Sequence, residues 1–135
     1  MDKKTGFIII EYAYQLFKKP KNFVDLIINL RRKLGPEKII YTPVIADPSN
    51  IGLLCYMGID LFDTSSAIIA ARNNNMFFSD KGYNTKDLIE LSCSCPICNN
   101  VNKKPSKLSF QDILFHNYYI LFNELKKIIN IIKNG

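Results

Sequence analysis

The distribution of apolar residues predicts a helix in the first third of the chain. Between Lys19-Pro20 and Gly35-Pro36, apolar side chains recur on one helical face: Phe23, Leu26, Ile27, Leu30 and Leu34. Proline at the first helical position and glycine after the last turn are typical helix boundaries. The pattern therefore predicts a helix over about residues 20–34.

A second amphipathic pattern fills the end of the chain. Ser109 and Asp112 have the spacing of a capping box, which begins a helix. The apolar positions that follow share one face: Ile113, Ile120, Leu121, Leu125, Ile128 and Ile132. The pattern predicts a long C-terminal helix that starts near Leu108.

Short apolar runs alternate with capped helical segments between these two helices. Runs at 38–45 and 59–63 read as strands, and Asp47-Pro48 and Thr64-Ser65 are suited to begin the helices that follow them. Such alternation predicts an α/β fold with a parallel sheet or barrel. The run at 7–10 reads equally as a short strand or the start of a helix, and a brief strand is expected at 76–78.

The net charge and the cysteine content indicate which partners and which cellular location are expected for the protein. The net charge of +6 favours an anionic partner such as RNA, although a lysine-rich solvated surface has the same composition. Three of the four cysteines lie within six residues, which suits a metal better than disulfides and indicates a reducing, cytoplasmic location. No apolar run reaches the ~18 residues of a membrane span, so no membrane partner is expected.

Three cysteines and the single histidine of the chain form a metal-binding pattern. Cys93, Cys95, Cys98 and His116 follow a Cys-x-Cys-x2-Cys-x17-His spacing, which suits one tetrahedral zinc ion. All four positions around the ion would be filled, so the zinc would be structural rather than catalytic. The alternative for His116 is a core histidine on an apolar helix face.

Several sequence motifs of this chain are similar to those of a known family: Gly-Ile-Asp-Leu-Phe-Asp at 58–63, Ala-Ala-Arg at 70–72, Cys-Ser-Cys-Pro-Ile-Cys at 93–98 and His-Asn at 116–117. In this combination the chain resembles the C-terminal half of the tRNA-guanine transglycosylase catalytic domain, in its archaeal form, over about residues 20–130. The segments 23–31 and 41–50 look still more similar to the archaeosine synthase branch.

The resemblance implies a fold and a reaction. The family fold is a (β/α)8 TIM-type barrel, so a single domain at 1–135 would comprise a half barrel at about 1–82 and a zinc-binding subdomain with the C-terminal helix at about 83–135. The family exchanges a guanine in tRNA for a 7-deazaguanine base, in archaea on the pathway to archaeosine. Asp63 matches the nucleophile that attacks the ribose, Arg72 matches an arginine near tRNA phosphates, and Asp60 is expected to be structural.

The resemblance also implies that this chain does not act alone. A barrel of this type takes ~250 residues, and neither the second active-site aspartate nor the glycine-rich base-binding loop of the family is found here. The expected partner besides tRNA is a separately encoded N-terminal half barrel, a catalytic homologue or a second copy of the chain. Two alternatives remain open: Asp63 as a helix N-cap, and a non-catalytic, tRNA-binding accessory subunit of the archaeosine synthase type.

Overall fold

The computed structural model describes residues 6–134, so residues 1–5 and 135 lie outside the described part. The described chain forms two compact units, one of residues 6–46 and 52–65 and the other of residues 47–51 and 66–134. Its strands and helices are, in chain order, β1 (Phe7–Ile9), α1 (Ala13–Phe17), α2 (Pro20–Leu34), β2 (Ile39–Tyr41), α3 (Ile51–Met57), α4 (Ser65–Arg72), β3 (Asn75–Phe77), β4 (Gly82–Asn84), α5 (Pro96–Asn100) and α6 (Phe110–Asn134). Two short 3-10 turns lie at Thr85–Asp87 and Pro105–Lys107.

The first unit contains a small parallel sheet. β1 pairs with β2 in parallel, with Ile8 opposite Ile40, and a single parallel bridge joins Tyr41 to Leu61 beyond it. The run at 7–10 is therefore a strand. The predicted strand at 38–45 is shorter than expected, because the chain leaves β2 through a turn in which Val44 has a φ of 70°. The predicted strand at 59–63 is reduced to the single bridge at Leu61. The mixed α/β class is confirmed, but the described residues form only small sheets and no barrel.

An arginine fixes the end of α2 to the start of β2. The Arg31 guanidinium donates to the carbonyls of Gly35, Lys38 and Gly58 and pairs with Asp60 at 2.6 Å. The Asp60 carboxylate also accepts from the Ile40 N–H at 2.9 Å, so this residue has the structural contacts expected of it. These bonds satisfy carbonyls at two helix ends that would otherwise lack partners.

The second unit packs a hairpin and a metal-binding loop against the long helix. The brief strand expected at 76–78 is β3, and it pairs antiparallel with β4, which the sequence patterns did not predict. Ser109 and Asp112 form the predicted capping box, with reciprocal bonds of 2.9 and 3.2 Å at the start of α6. The buried core of this unit consists of Ala71, Met76, Leu91, Cys95, Cys98 and Ile113.

No helix within residues 6–134 combines the length and the hydrophobicity that crossing a bilayer requires.

Candidate metal centre and aspartate site

The four predicted metal ligands meet in the second unit. One donor atom from each of Cys93, Cys95, Cys98 and His116 lies within 4.8 Å of every other. Cys95, Cys98 and His116 are almost completely buried, and Cys93 is half-buried. Residues separated in sequence by a helix and a loop thus present one compact set of three sulfurs and one nitrogen.

The cysteine loop takes its shape from a short helix. Cys95 is the N-cap of α5, and Pro96 occupies the first position, where its missing N–H costs no hydrogen bond. The N–H of Cys98 donates to the sulfur of Cys95, and the N–H of Cys95 donates to the sulfur of Cys93, each at 3.4 Å. Such bonds favour the thiolate form of the sulfurs that accept them.

His116 is oriented by the backbone of β3. Its Nε2 lies 2.8 Å from the carbonyl oxygen of Phe77, which can only accept, so Nε2 carries the proton. Nδ1 therefore keeps its lone pair and faces the sulfurs of Cys95 and Cys98, each 3.4 Å away. Burial lowers the pKa of His116, which keeps the ring neutral as a metal ligand must be.

The next residue of α6 is a structural partner that the sequence patterns did not predict. The side chain of Asn117 is fully buried and accepts from the Phe77 N–H at 2.8 Å. Its amide donates to the carbonyls of Ala67 and Asn75 at 3.3 and 3.1 Å. The signal in the sequence was the His-Asn pair at 116–117, one of the segments shared with the family, and a buried amide there needs specific partners. Together His116 and Asn117 hold both backbone polar groups of Phe77.

The arrangement fits one zinc ion. A sulfur and a nitrogen at ordinary bond lengths on a tetrahedral zinc are about 3.6 Å apart, close to the separations around Nδ1. Burial raises the pKa of the Cys93 and Cys98 thiols, so an ion is needed to hold these sulfurs as thiolates. Cys93, Cys95, Cys98 and His116 would hold the metal, which would stabilise the fold and leave no position open for substrate.

Asp63 lies in the first unit, two residues after the bridge at Leu61. Its carboxylate accepts from the Tyr41 hydroxyl at 2.6 Å and from the N–H groups of Val44 and Ser65, each at 3.1 Å. The Ser65 hydroxyl is a further donor. Asp63 thus fixes the left-handed turn at Val44 and the first residue of α4.

These donors determine the ionisation of the pair. Burial by itself would raise the pKa of Asp63, but the hydrogen bonds from Tyr41, Ser65 and Val44 outweigh it and lower that pKa below its ordinary value. The pKa of Tyr41 is raised, first by its hydrogen bond to Asp63 and then by burial. At neutral pH Asp63 is therefore a carboxylate and Tyr41 a neutral donor.

Arg72 is the last residue of α4, and its side chain is exposed. No hydrogen bond or ion pair within residues 6–134 involves its guanidinium. Arg72 and the four metal ligands belong to the second unit, whereas Asp63 belongs to the first.

Several known proteins are similar to this chain in sequence. Archaeosine synthase subunit alpha of Methanosarcina acetivorans is 30% identical over 71% of this chain and 15% of its own length. A tRNA-guanine(15) transglycosylase of Haloferax volcanii is 29% identical over 84% of this chain and 23% of its own. Archaeosine synthase of the same organism is 30% identical over 84% of this chain and 19% of its own. The chain thus spans less than a quarter of the length of each of these relatives.

A family model closes the identification. The sequence model of the family described as queuine tRNA-ribosyltransferase matches residues 6–135, which is nearly the whole chain. The matched range includes the cluster of Cys93, Cys95, Cys98 and His116 and the segment that ends in Asp63. This chain therefore belongs to the queuine tRNA-ribosyltransferase family, also called the tRNA-guanine transglycosylase family.

Proposed function

We propose that this chain is part of an enzyme that modifies tRNA by exchanging a guanine for a 7-deazaguanine base. The observation that carries the proposal is the family match over residues 6–135, supported by a metal centre with the expected ligands. The similarity to tRNA-guanine(15) transglycosylases and archaeosine synthases favours the archaeosine pathway.

In this proposal Asp63 is the nucleophile. A carboxylate oxygen attacks the ribose C1′ of the target guanosine, the C1′–N9 bond breaks, and guanine leaves with the electron pair and takes up a proton. The incoming base then attacks C1′ through its own deprotonated nitrogen and releases Asp63 as a carboxylate. Two features support this role: Asp63 is ionised at neutral pH, and it follows a parallel strand bridge, as catalytic residues of barrel enzymes do.

The proposal includes a partner. The parallel pair of β1 and β2, with the bridge at Leu61, has the strand direction of a barrel segment. A separately encoded half barrel, a catalytic homologue or a second copy would complete the sheet and supply the base pocket. Arg72, which is exposed and unpaired within the described residues, would contact tRNA phosphate.

One observation favours a second candidate, a non-catalytic accessory subunit of the archaeosine synthase type. Four donors already converge on the Asp63 carboxylate, from Tyr41, Val44 and Ser65. A carboxylate has about four acceptor sites, so these bonds suffice to explain Asp63 as a residue that holds its loop. In this role the chain binds tRNA or a catalytic homologue and needs no nucleophile.

Asp63→Asn separates the two candidates. The tagged chain is purified from its own cells with its native partners, and guanine exchange into tRNA is measured for the wild type, Asp63→Asn and the matched control Asp25→Asn, an exposed residue of α2. A nucleophile predicts a loss of at least about 1000-fold in Asp63→Asn alone. Full exchange activity in Asp63→Asn would establish the accessory role instead.

A further inference from the structure

A cavity opens beside the metal centre in the second unit. It has a volume of about 450 Å³ and is lined by Phe78, Ser79, Ser92, Cys93, Ile120, Asn123, Glu124 and Lys127. Cys93 is the only one of the four metal ligands among these lining residues, and it is also the only one of the four that is not buried. The cavity therefore connects solvent to the accessible side of the ligand cluster.

The other three ligands are closed off from solvent. Cys95 and Cys98 belong to the buried core of the unit, and the His116 side chain is fully buried. The ring of Phe78 packs against the His116 ring, with the two ring centroids 5.6 Å apart. An ion that enters or leaves the folded protein therefore has its open route past Cys93.

One carboxylate lines the cavity, that of Glu124 on α6. Its side chain is only 18% exposed and pairs with the Lys127 ammonium at 2.9 Å, whereas the Lys127 side chain is 64% exposed. A pair with one partner so open to water contributes little stability, because solvent screens the charges and the lysine side chain stays free to move away. Another cation can therefore replace Lys127 at this carboxylate with little loss of free energy.

Glu124 is placed to attract an ion but not to hold it at the centre. It follows His116 by eight residues on the same helix, which is about 12 Å along the helix axis. The ligands of one zinc ion lie about 4 Å apart, and Glu124 is not among the described residues whose donor atoms meet at the centre. Further oxygen donors line the same cavity, from the side chains of Ser79, Ser92 and Asn123.

We propose that this cavity is the route by which the metal ion enters and leaves the centre, and that Glu124 binds the ion in transit before Cys93 does. The net charge of +6 repels a free cation from the protein as a whole, so a local carboxylate is needed to attract one. Thiolate and imidazole ligands suit zinc better than a single carboxylate does, so the ion passes on from Glu124 to the cysteines and His116. The inference is independent of the proposed reaction.

The test follows exchange of the bound metal in the full chain. The zinc-loaded protein is mixed with isotopically enriched zinc, and mass spectrometry of the native protein gives the exchange rate. Competition with a chelator gives the affinity. Glu124→Gln is compared with the matched control Glu90→Gln, an exposed residue of the same unit that does not line the cavity, and Lys127→Gln with its exposed neighbour Lys126→Gln. Equal melting temperatures establish that each variant is folded.

The two cavity variants should change the exchange rate in opposite directions. We expect Glu124→Gln to exchange its metal at least about fivefold more slowly than the wild type and Lys127→Gln to exchange about threefold faster, with both controls within about twofold. A residue that lies on the path but is not a ligand changes the rates of entry and exit by the same factor. The affinity for zinc should therefore stay the same in all four variants.

Each other outcome overturns the route. Equal slowing in Glu124→Gln and Glu90→Gln means that only the overall charge matters, and unchanged exchange in Glu124→Gln means that the ion does not pass this carboxylate. A weaker affinity in Glu124→Gln means that the residue supports the bound state instead of the path. Wild-type exchange no faster than global unfolding, measured by hydrogen exchange of α6, means that the ion leaves only when the unit unfolds. A wild type that binds no zinc refutes the metal centre together with its route.

Discussion

The metal centre of the second unit and the Asp63 loop of the first unit both bring polar groups together, but they differ in burial and in whether those groups have partners. At the metal centre, three of four donors are buried, and each sulfur or nitrogen faces the others. At Asp63, a half-exposed carboxylate collects hydrogen bonds from Tyr41, Val44 and Ser65. The first arrangement needs an ion to hold its sulfurs as thiolates, whereas the hydrogen bonds of the second are already made. The donor atoms of the metal centre lack a counter-charge, so they indicate a bound cation. The Asp63 carboxylate already has its hydrogen-bond donors, so its surroundings indicate no particular ligand.

Removal of the metal should produce the largest effect and the clearest contrast. Cys98→Ser, or chelation of the wild type, should lower the melting temperature by about 10 °C or more, because the buried sulfurs lose the charge that holds them. Hydrogen exchange should accelerate in β3, α5 and the first half of α6. The control is Cys55→Ser, which changes a half-buried thiol that is not a ligand. Equal melting of the apo-protein and the metal-loaded protein would refute the metal centre.

Asn117→Ala should have an intermediate effect and separates backbone anchoring from metal binding. The substitution removes three hydrogen bonds, to Phe77, Ala67 and Asn75. We expect a loss of about 2–4 kcal/mol in the free energy of unfolding, measured by denaturant titration, with one metal ion still bound per chain. Asn130→Ala, at an exposed position of the same helix, should be nearly neutral. If Asn117→Ala also releases the metal, the two functions of this helix face are not separable.

Tyr41→Phe should have the smallest effect and a specific dependence on pH. Because the pKa of Asp63 is lowered in the folded protein, its contribution to stability is present above the ordinary carboxyl pKa of about 3.9 and is lost as the pH falls through the lowered value. Loss of the Tyr41 hydroxyl moves that pKa back toward the ordinary value. Near neutral pH we expect a cost of about 1 kcal/mol, discounted for the partial exposure of the carboxylate.

The pH profile of unfolding checks this third prediction. The difference between wild type and Tyr41→Phe should shrink toward zero in acid, where Asp63 is protonated in both folded proteins. Tyr56→Phe serves as the control, since this side chain is 90% exposed. A difference that is constant from acid to neutral pH would show that Tyr41 contributes by packing rather than through Asp63.

Local sequence signals predicted the longer helices and the clustering of the three cysteines with His116. Gly35 and Gly58 both have the positive φ of helix-ending glycines, 80° and 103°, and the capping box at Ser109 begins α6 within two residues of the expected start. The three cysteines are close in sequence, and chemistry allows them few other roles in a reducing setting. The helix boundaries and the cysteine cluster depended on residues within a few positions of one another, whereas His116 was identified as the single histidine of the chain.

Contacts between distant residues could not be predicted in the same way. The bond between Tyr41 and Asp63 spans 22 residues, the pair of Arg31 and Asp60 spans 29, and that between Phe77 and Asn117 spans 40. Nothing in the periodicity of either partner indicates the other. The β3–β4 hairpin was missed for a different reason: Gly82–Asn84 has no apolar alternation, because this strand is held by pairing with β3 and not by a buried face. The half barrel and the roles of Asp63 and Arg72 remain predictions.

The hydrogen bonds of His116 and Asn117 to Phe77 restrict how the C-terminal helix α6 can rotate about its own axis. Successive residues of a helix point about 100° apart, so these two side chains reach the carbonyl and the N–H of Phe77 in one rotational setting of α6 only. A rotation by one residue would bring the ring of Phe115 or the amide of Asn117 to the sulfurs, and neither supplies the imidazole nitrogen that completes the ligand set. An ion held by Cys93, Cys95, Cys98 and His116 would therefore stabilise only the rotational setting of α6 in which His116 faces the sulfurs.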